Sequence, residues 1–116
     1  MVAVLNRYFS AINDHAYGAY ERLFSPAVRN GLSQATFMAG FGTTHDSAVT
    51  LRSMSALSTG ELEVGVTFTS HQQPAASPSQ SSCTAWRISL YLVKQGRRYL
   101  LTAPPAGYQA SYRSCS

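Results

Sequence analysis

The chain has 116 residues, of which 45% are apolar and 12% charged, with a net charge of +4. That length suits one domain with a real core and is too short for two ordinary ones, and the apolar share argues against disorder. No apolar run approaches the roughly eighteen residues of a membrane span, and the segment from Met1 to Arg7 lacks the basic stretch and apolar run of a signal peptide.

Residues 2–15 are predicted helical, because Leu5, Tyr8, Phe9 and Ile12 share one apolar face. Asp14 is placed as the N-cap of a second helix over 16–24, with Tyr17, Ala19, Tyr20 and Leu23 at its apolar positions. Ser25-Pro26 stops that helix or starts a short turn. Ser33 is the expected N-cap of a third helix over 34–41, which carries Phe37, Met38 and Phe41. Gly40 and Gly42 punctuate its end.

The pattern then switches to alternation. Residues 48–56 read as a strand with Val49, Leu51 and Ser53 on one side. Ser58-Thr59-Gly60 is a turn. Leu62, Val64, Val66 and Phe68 alternate strictly with polar or small neighbours, giving a half-buried strand. Residues 71–82 read as a mobile loop by their Ser, Pro and Gln content. A third strand over 83–93 puts Trp86, Ile88, Leu90 and Leu92 on one face and Arg87, Ser89 and Tyr91 on the other. Lys94 to Arg97 forms a hairpin turn, residues 99–103 a fourth strand, and the residues after Pro105 show no periodicity. The expected class is therefore α+β: three N-terminal helices packed on a curved antiparallel sheet of about four strands.

Cys83 opens a predicted strand and Cys115 lies in an exposed, polar C-terminal tail. A disulfide between them would pin the tail to the sheet and add roughly 3–4 kcal/mol in the chain-entropy view. A bridge implies an oxidising compartment, so the expected location is extracellular or extracytoplasmic. With no export signal in view, the reading is a single domain over 1–116 cut from a longer exported or membrane-anchored protein.

Eight of the nine basic residues are arginine, and along the chain they are scattered. A nucleic-acid surface wants a dense basic stripe interleaved with aromatics, so no nucleic-acid partner is expected, and no insertion of this domain into a membrane. His15, His45 and His71 lack metal-ligand spacing, so neither a metal nor a cofactor is expected. No G-x-S-x-G surrounds a serine, and Gly40-Phe41-Gly42-Thr43-Thr44 lacks the lysine and spacing of a phosphate loop.

The run from Val4 to Tyr20, with Tyr8-Phe9-Ser10-Ala11-Ile12-Asn13 at its centre, resembles the opening of NTF2-like proteins. That superfamily is the cystatin-like α+β cone shared by ketosteroid isomerase and SnoaL-like proteins. Phe37 to Thr44 is similar to a version common in actinobacterial secreted or membrane-anchored proteins, and Thr84 to Val93 fits the family's long strand before a hairpin. The resemblance implies a cone enclosing an apolar cavity.

It also implies two possible kinds of work. A relative of the isomerases needs a carboxylate base inside the cone and a Tyr or protonated acid to polarise a carbonyl. The third strand carries no acid, which departs from that pattern; only Asp46, beside His45, is placed to approach a cavity mouth. The preferred reading is therefore non-catalytic: a ligand-sensing or protein-interaction domain. Its cavity would be lined by Tyr20, Phe41 and Trp86, with His45 and Arg87 near the rim, and would take a small apolar or amphipathic ligand. A homodimer would form through the outer sheet face bearing Arg87, Ser89 and Tyr91. The alternative is a SnoaL-like or isomerase-like enzyme using Asp46 or His45.

Overall fold

A computed structural model describes residues 1–115. Four short helices precede the sheet: α1 (Val2–Asn13), α2 (Tyr17–Glu21), α3 (Pro26–Arg29) and α4 (Gln34–Phe41). The order is α+β, as the sequence predicts, with one helix more. Ser25-Pro26 does not merely stop a helix: Pro26 sits in the first turn of α3, where its missing N–H costs nothing.

Asp14 caps the other way from the expectation. Helix α1 ends on His15, which takes a positive φ of 54°. The His15 N–H donates to the Ile12 carbonyl (3.1 Å) and the Ala16 N–H to the Ala11 carbonyl (2.9 Å). This pair of bonds closes a helix on a left-handed residue, so Asp14 becomes the C-cap of α1 and Ala16 begins α2 without a side-chain cap. Ser33 does cap α4 as predicted, its hydroxyl accepting from the Thr36 N–H at 3.1 Å.

The strands are β1 (His45–Ala56), β2 (Leu62–His71), β3 (Cys83–Gln95), β4 (Arg98–Thr102) and β5 (Ser111–Ser114). They form one curved antiparallel sheet in the order β1-β2-β3-β4, and β5 also pairs with β3. Ten successive pairs join β2 to β3, from Leu62↔Leu92 to His71↔Cys83. The opposite edge of β3 is shared: β4 takes residues 91–95 and β5 takes residues 84–87. The tail that lacked periodicity thus contributes a strand, too short to show alternation.

Strand β1 needs twelve residues to match the ten of β2. Its register slips between Ser47 and Thr50 and again between Leu51 and Ser53. Each bulge shifts the alternation by one residue. Leu51 therefore pairs with Val66, while Ser53 pairs with Gly65 on the other face and Met54 returns inward opposite Val64. The expected grouping of Val49, Leu51 and Ser53 on one side fails for this reason.

The core forms where α1 lies on the sheet. Leu5 and Phe9 pack with Val64, Val66, Leu92 and Leu101, all nearly fully buried. Each such side chain contributes about 1.5–3 kcal/mol on leaving water. The free edge of β4 is covered by the chain before α3: the Ser25 N–H donates to the Leu101 carbonyl (2.8 Å), and the Leu101 N–H to the Leu23 carbonyl (2.7 Å).

The segment between β2 and β3 is organised rather than loose. It contains a 3₁₀ turn at Pro74–Ala76. Its hydroxyls converge on Thr84, which has no exposed surface: Ser77 Oγ lies 2.8 Å and Ser79 Oγ 2.9 Å from Thr84 Oγ1. Gln72 Nε2 donates to the Ser81 carbonyl at 3.0 Å. Small polar residues look mobile in a sequence, yet here Ser77, Ser79 and Ser81 hydrogen-bond one another and Thr84. The Cys83–Cys115 disulfide closes the same corner, with the Cys115 N–H donating to the Cys83 carbonyl at 3.1 Å. No helix is long and apolar enough to cross a membrane among the described residues.

Between β4 and β5 the shared edge of β3 has a gap. Tyr108 fills it: its hydroxyl accepts from the Ser89 N–H at 2.6 Å, and its ring meets Tyr91 edge-on at 5.8 Å. Removing that hydroxyl leaves a backbone donor without its partner. Tyr108→Phe is expected to lower stability by about 1–3 kcal/mol, read by denaturant titration, whereas Tyr99→Phe on the exposed hairpin should change it little.

Candidate functional site

Alternation along β2 and β3 sends Phe68, Ser70, Trp86 and Ile88 to the side of the sheet that faces α1. Beyond the end of the core these side chains have no helix directly above them. A cavity of about 200 Å³ remains, closed by Tyr8 and Ile12 of α1, Gly40 and Phe41 of α4, and the segment carrying Gln72, Ser77 and Pro78. Its walls are apolar and aromatic, and its polar groups gather at one end: Thr44, Asp46, Ser70, Gln72 and Ser77.

Asp46 is the charged member. The residue as a whole is only 5% exposed. The Asn13 side chain, the last residue of α1, holds its backbone from both sides. Asn13 Oδ1 accepts from the Asp46 N–H at 2.6 Å, and Asn13 Nδ2 donates to the Asp46 carbonyl at 2.9 Å. Opposite it in the ladder, Ser70 Oγ donates to Asp46 Oδ1. Oδ2 has no hydrogen-bond partner among the described residues. Burial raises the carboxyl above the usual carboxylate range; the Ser70 bond and the nearby His45 oppose that shift without cancelling it.

Tyr8 shares the cavity. Burial is the main reason its phenol is held well above its ordinary value, followed by the charges of Tyr20 and Asp46 and a hydrogen bond with Tyr20. Burial likewise pushes Tyr20 up to about 12. Both phenols are therefore proton donors, never phenolates, over the physiological range.

Of the residues expected around the cavity, Phe41 and Trp86 line it. Tyr20 stands one layer behind, in contact with Tyr8 (5.9 Å between rings), Phe37 (4.7 Å) and Phe41 (5.9 Å). His45 is exposed, because its neighbour Asp46 turns inward and successive strand residues face opposite sides. Arg87 lies on the outer face of β3, away from the cavity. Sequence reasoning left out Tyr8, Phe68, Ser70 and Gln72. The signal for Ser70 was present: it continues the inward series Val64, Val66, Phe68 by one step. Asp46, which the sequence offers as the one acid able to approach a cavity mouth, does line the cavity; the bulge that follows it turns it inward, and no periodicity reveals that bulge. Among the described residues no group of three or more His, Cys, Asp and Glu could hold a metal ion.

Compared with known proteins, the chain matches no family model and no curated protein.

A carboxyl whose native pKa is raised binds its proton more readily in the folded state than in the unfolded one. Its contribution is favourable at low pH and is lost as pH rises through the native value. Asp46→Asn keeps an acceptor for Ser70 and abolishes the titration. Its melting temperature at pH 7 is expected to exceed that of the wild type, with the difference closing towards about pH 4, the ordinary carboxylate range. Melting curves at a series of pH values check this, and a lower melting temperature for Asp46→Asn at pH 7 contradicts it.

Proposed function

We propose that this domain is an NTF2-like cone that binds a small ligand in the cavity beside Asp46, as a non-catalytic ligand-sensing unit in an extracytoplasmic setting. The carrying observation is the cavity itself: aromatic walls from Tyr8, Phe41, Phe68 and Trp86, with a buried carboxyl and its hydroxyl neighbours at one end. Apolar walls with a few convergent polar groups are what a ligand pocket needs. The volume of about 200 Å³ exceeds the roughly 150 Å³ engineered cavity that holds benzene, so the ligand class is a single ring carrying one hydrogen-bond donor. The cone reading draws support from the order of elements and from the helices lying on the inner side of a bulged, curved sheet. The extracytoplasmic setting draws support from the disulfide.

Trp86 is the only tryptophan and lines the cavity, so it reports directly on occupancy. Titration with phenol and with toluene is expected to change Trp86 fluorescence saturably. Phenol should bind more tightly, and Asp46→Ala should erase that preference. No saturable change with either ring compound refutes the reading.

A second reading is favoured by the unpartnered Asp46 Oδ2 sharing a cavity with the protonated phenol of Tyr8. Such a pair can take a proton from a carbon beside a carbonyl while the phenol donates to the carbonyl oxygen. An enzyme of isomerase or SnoaL type would accelerate deuterium exchange into the α-positions of cyclohexanone, followed by NMR, and Asp46→Asn would stop it. Exchange no faster than in buffer excludes this reading and leaves the binding domain standing.

A further inference from the structure

The outer face of the sheet carries its own constellation. Arg87 of β3 pairs with Thr67 of β2 and with Ser111 of β5, so all three project to one side. Arg113 pairs with Ala85, two residues from Arg87, and so joins the same face one diagonal step away. Arg52, at the second bulge of β1, reaches across and donates from Nε to Thr67 Oγ1 at 2.9 Å. Three arginines that are distant in sequence are thus gathered by the ladder.

Arg52 and Arg87 line two adjoining hollows of about 530 and 320 Å³, and Arg113 lines the larger. No Asp or Glu lines either hollow. The single acid of β2, Glu63, is engaged by the Tyr91 hydroxyl at 2.6 Å. The remaining lining is rich in hydroxyls, including Thr50, Thr69 and Ser111. Tyr112 pairs with Trp86 and packs on its ring at 5.2 Å, so both rings belong to the opposite side of the sheet and leave this face to arginines and hydroxyls. A row from β1 to β5 crosses three inter-strand spacings, roughly 14 Å, which is longer than a single inorganic ion needs.

We propose that this outer groove binds an anionic oligosaccharide, with Arg52, Arg87 and Arg113 contacting its acidic groups. Guanidinium forks match carboxylate and sulfate oxygens in pairs, a geometry a lysine does not offer. The hydroxyl-lined floor suits sugar hydroxyls. The choice of a saccharide over a nucleic acid rests on the oxidising setting proposed above, and on side chains around the arginines that are hydroxyls rather than a series of stacking platforms. Arginines elsewhere differ: the hollow holding Arg7, Arg22 and Arg98 also contains Asp14.

Isothermal titration of the intact, oxidised chain at low salt tests this with a sulfated heparin hexasaccharide, a uronic-acid hexasaccharide, neutral maltohexaose and a thymidine hexanucleotide. Both acidic saccharides are expected to bind and maltohexaose is not. Arg87→Ala and Arg113→Ala should each weaken binding about tenfold, the loss of a charged hydrogen-bond donor, with Arg52→Lys intermediate. Arg98→Ala should leave binding within about twofold. Melting curves confirm that each variant folds. No binding of either acidic saccharide, or an equal loss with Arg98→Ala, overturns the proposal. Tighter binding of the hexanucleotide than of both acidic saccharides reassigns the groove to single-stranded nucleic acid and overturns it too. Free thiols in the native protein would remove the compartment argument alone and leave these titrations readable.

Discussion

Ten consecutive residue pairs between β2 and β3 decide which way the side chains of these two strands face. Because the side-chain period of a strand is two, one register fixes both surfaces at once. Val64, Val66, Phe68 and Ser70 must share a side with Leu90, Ile88, Trp86 and Thr84; Thr67 must share the opposite side with Arg87. The core and the inner cavity follow from the first set, and the basic groove from the second. A slip of β3 by one residue would turn that strand over against β2, burying Arg87 and exposing Ile88 and Leu90. The burial of several aliphatic side chains on one side, each worth about 1.5–3 kcal/mol, opposes that slip.

The two surfaces differ in how their polar groups are held. Inside, Asp46 is fixed through its backbone by Asn13 and through its side chain by Ser70. Few rotamers remain to be lost when a ligand arrives, which lowers the cost of binding. Outside, the arginines are long, exposed side chains, and among the described residues only Arg52 of the three is anchored, to Thr67. A ligand there must order them itself, so its affinity depends on several contacts acting together and on salt. Tyr91 shows how one strand serves both regimes: it alternates outward beside Arg87, yet Tyr108 covers it and Glu63 accepts from it. The outer face that sequence alternation offers for pairing with a second copy is therefore partly occupied by the chain's own tail, and what stays open is cationic.

Much of the fold was legible because apolar periodicity is a direct record of burial. Helix α4 was read to its bounds, since Ser33 caps it and Gly42 closes it. The strands β2 and β3 were read nearly whole, because alternation persists over their length. What escaped lies where geometry depends on a partner rather than on a repeat. The bulges of β1 show only against β2. Strand β5 is four residues long and held by β3 and the disulfide, so its own pattern carries no signal. The cavity was half legible for the same reason: Phe41 and Trp86 stand out by composition, while Asp46 and Ser70 become a pair only when their strands meet. The arginine groove was illegible, because its members are 26 to 61 positions apart along the chain and cluster only across the ladder.

The two bulges of β1 bear on a hazard this sheet would otherwise face. Strand β1 is the outermost of the path, twelve residues long, and it leaves Val49, Leu51 and Met54 between 38% and 51% exposed. A flat edge of that length and character is a template on which further chains stack into fibrils. The extra residues break the regular row of backbone donors and acceptors and bend the strand out of plane. An incoming strand meets matching groups for only a few residues before losing step. The irregularity that turns Asp46 into the cavity thereby also keeps the molecule from growing by its own edge.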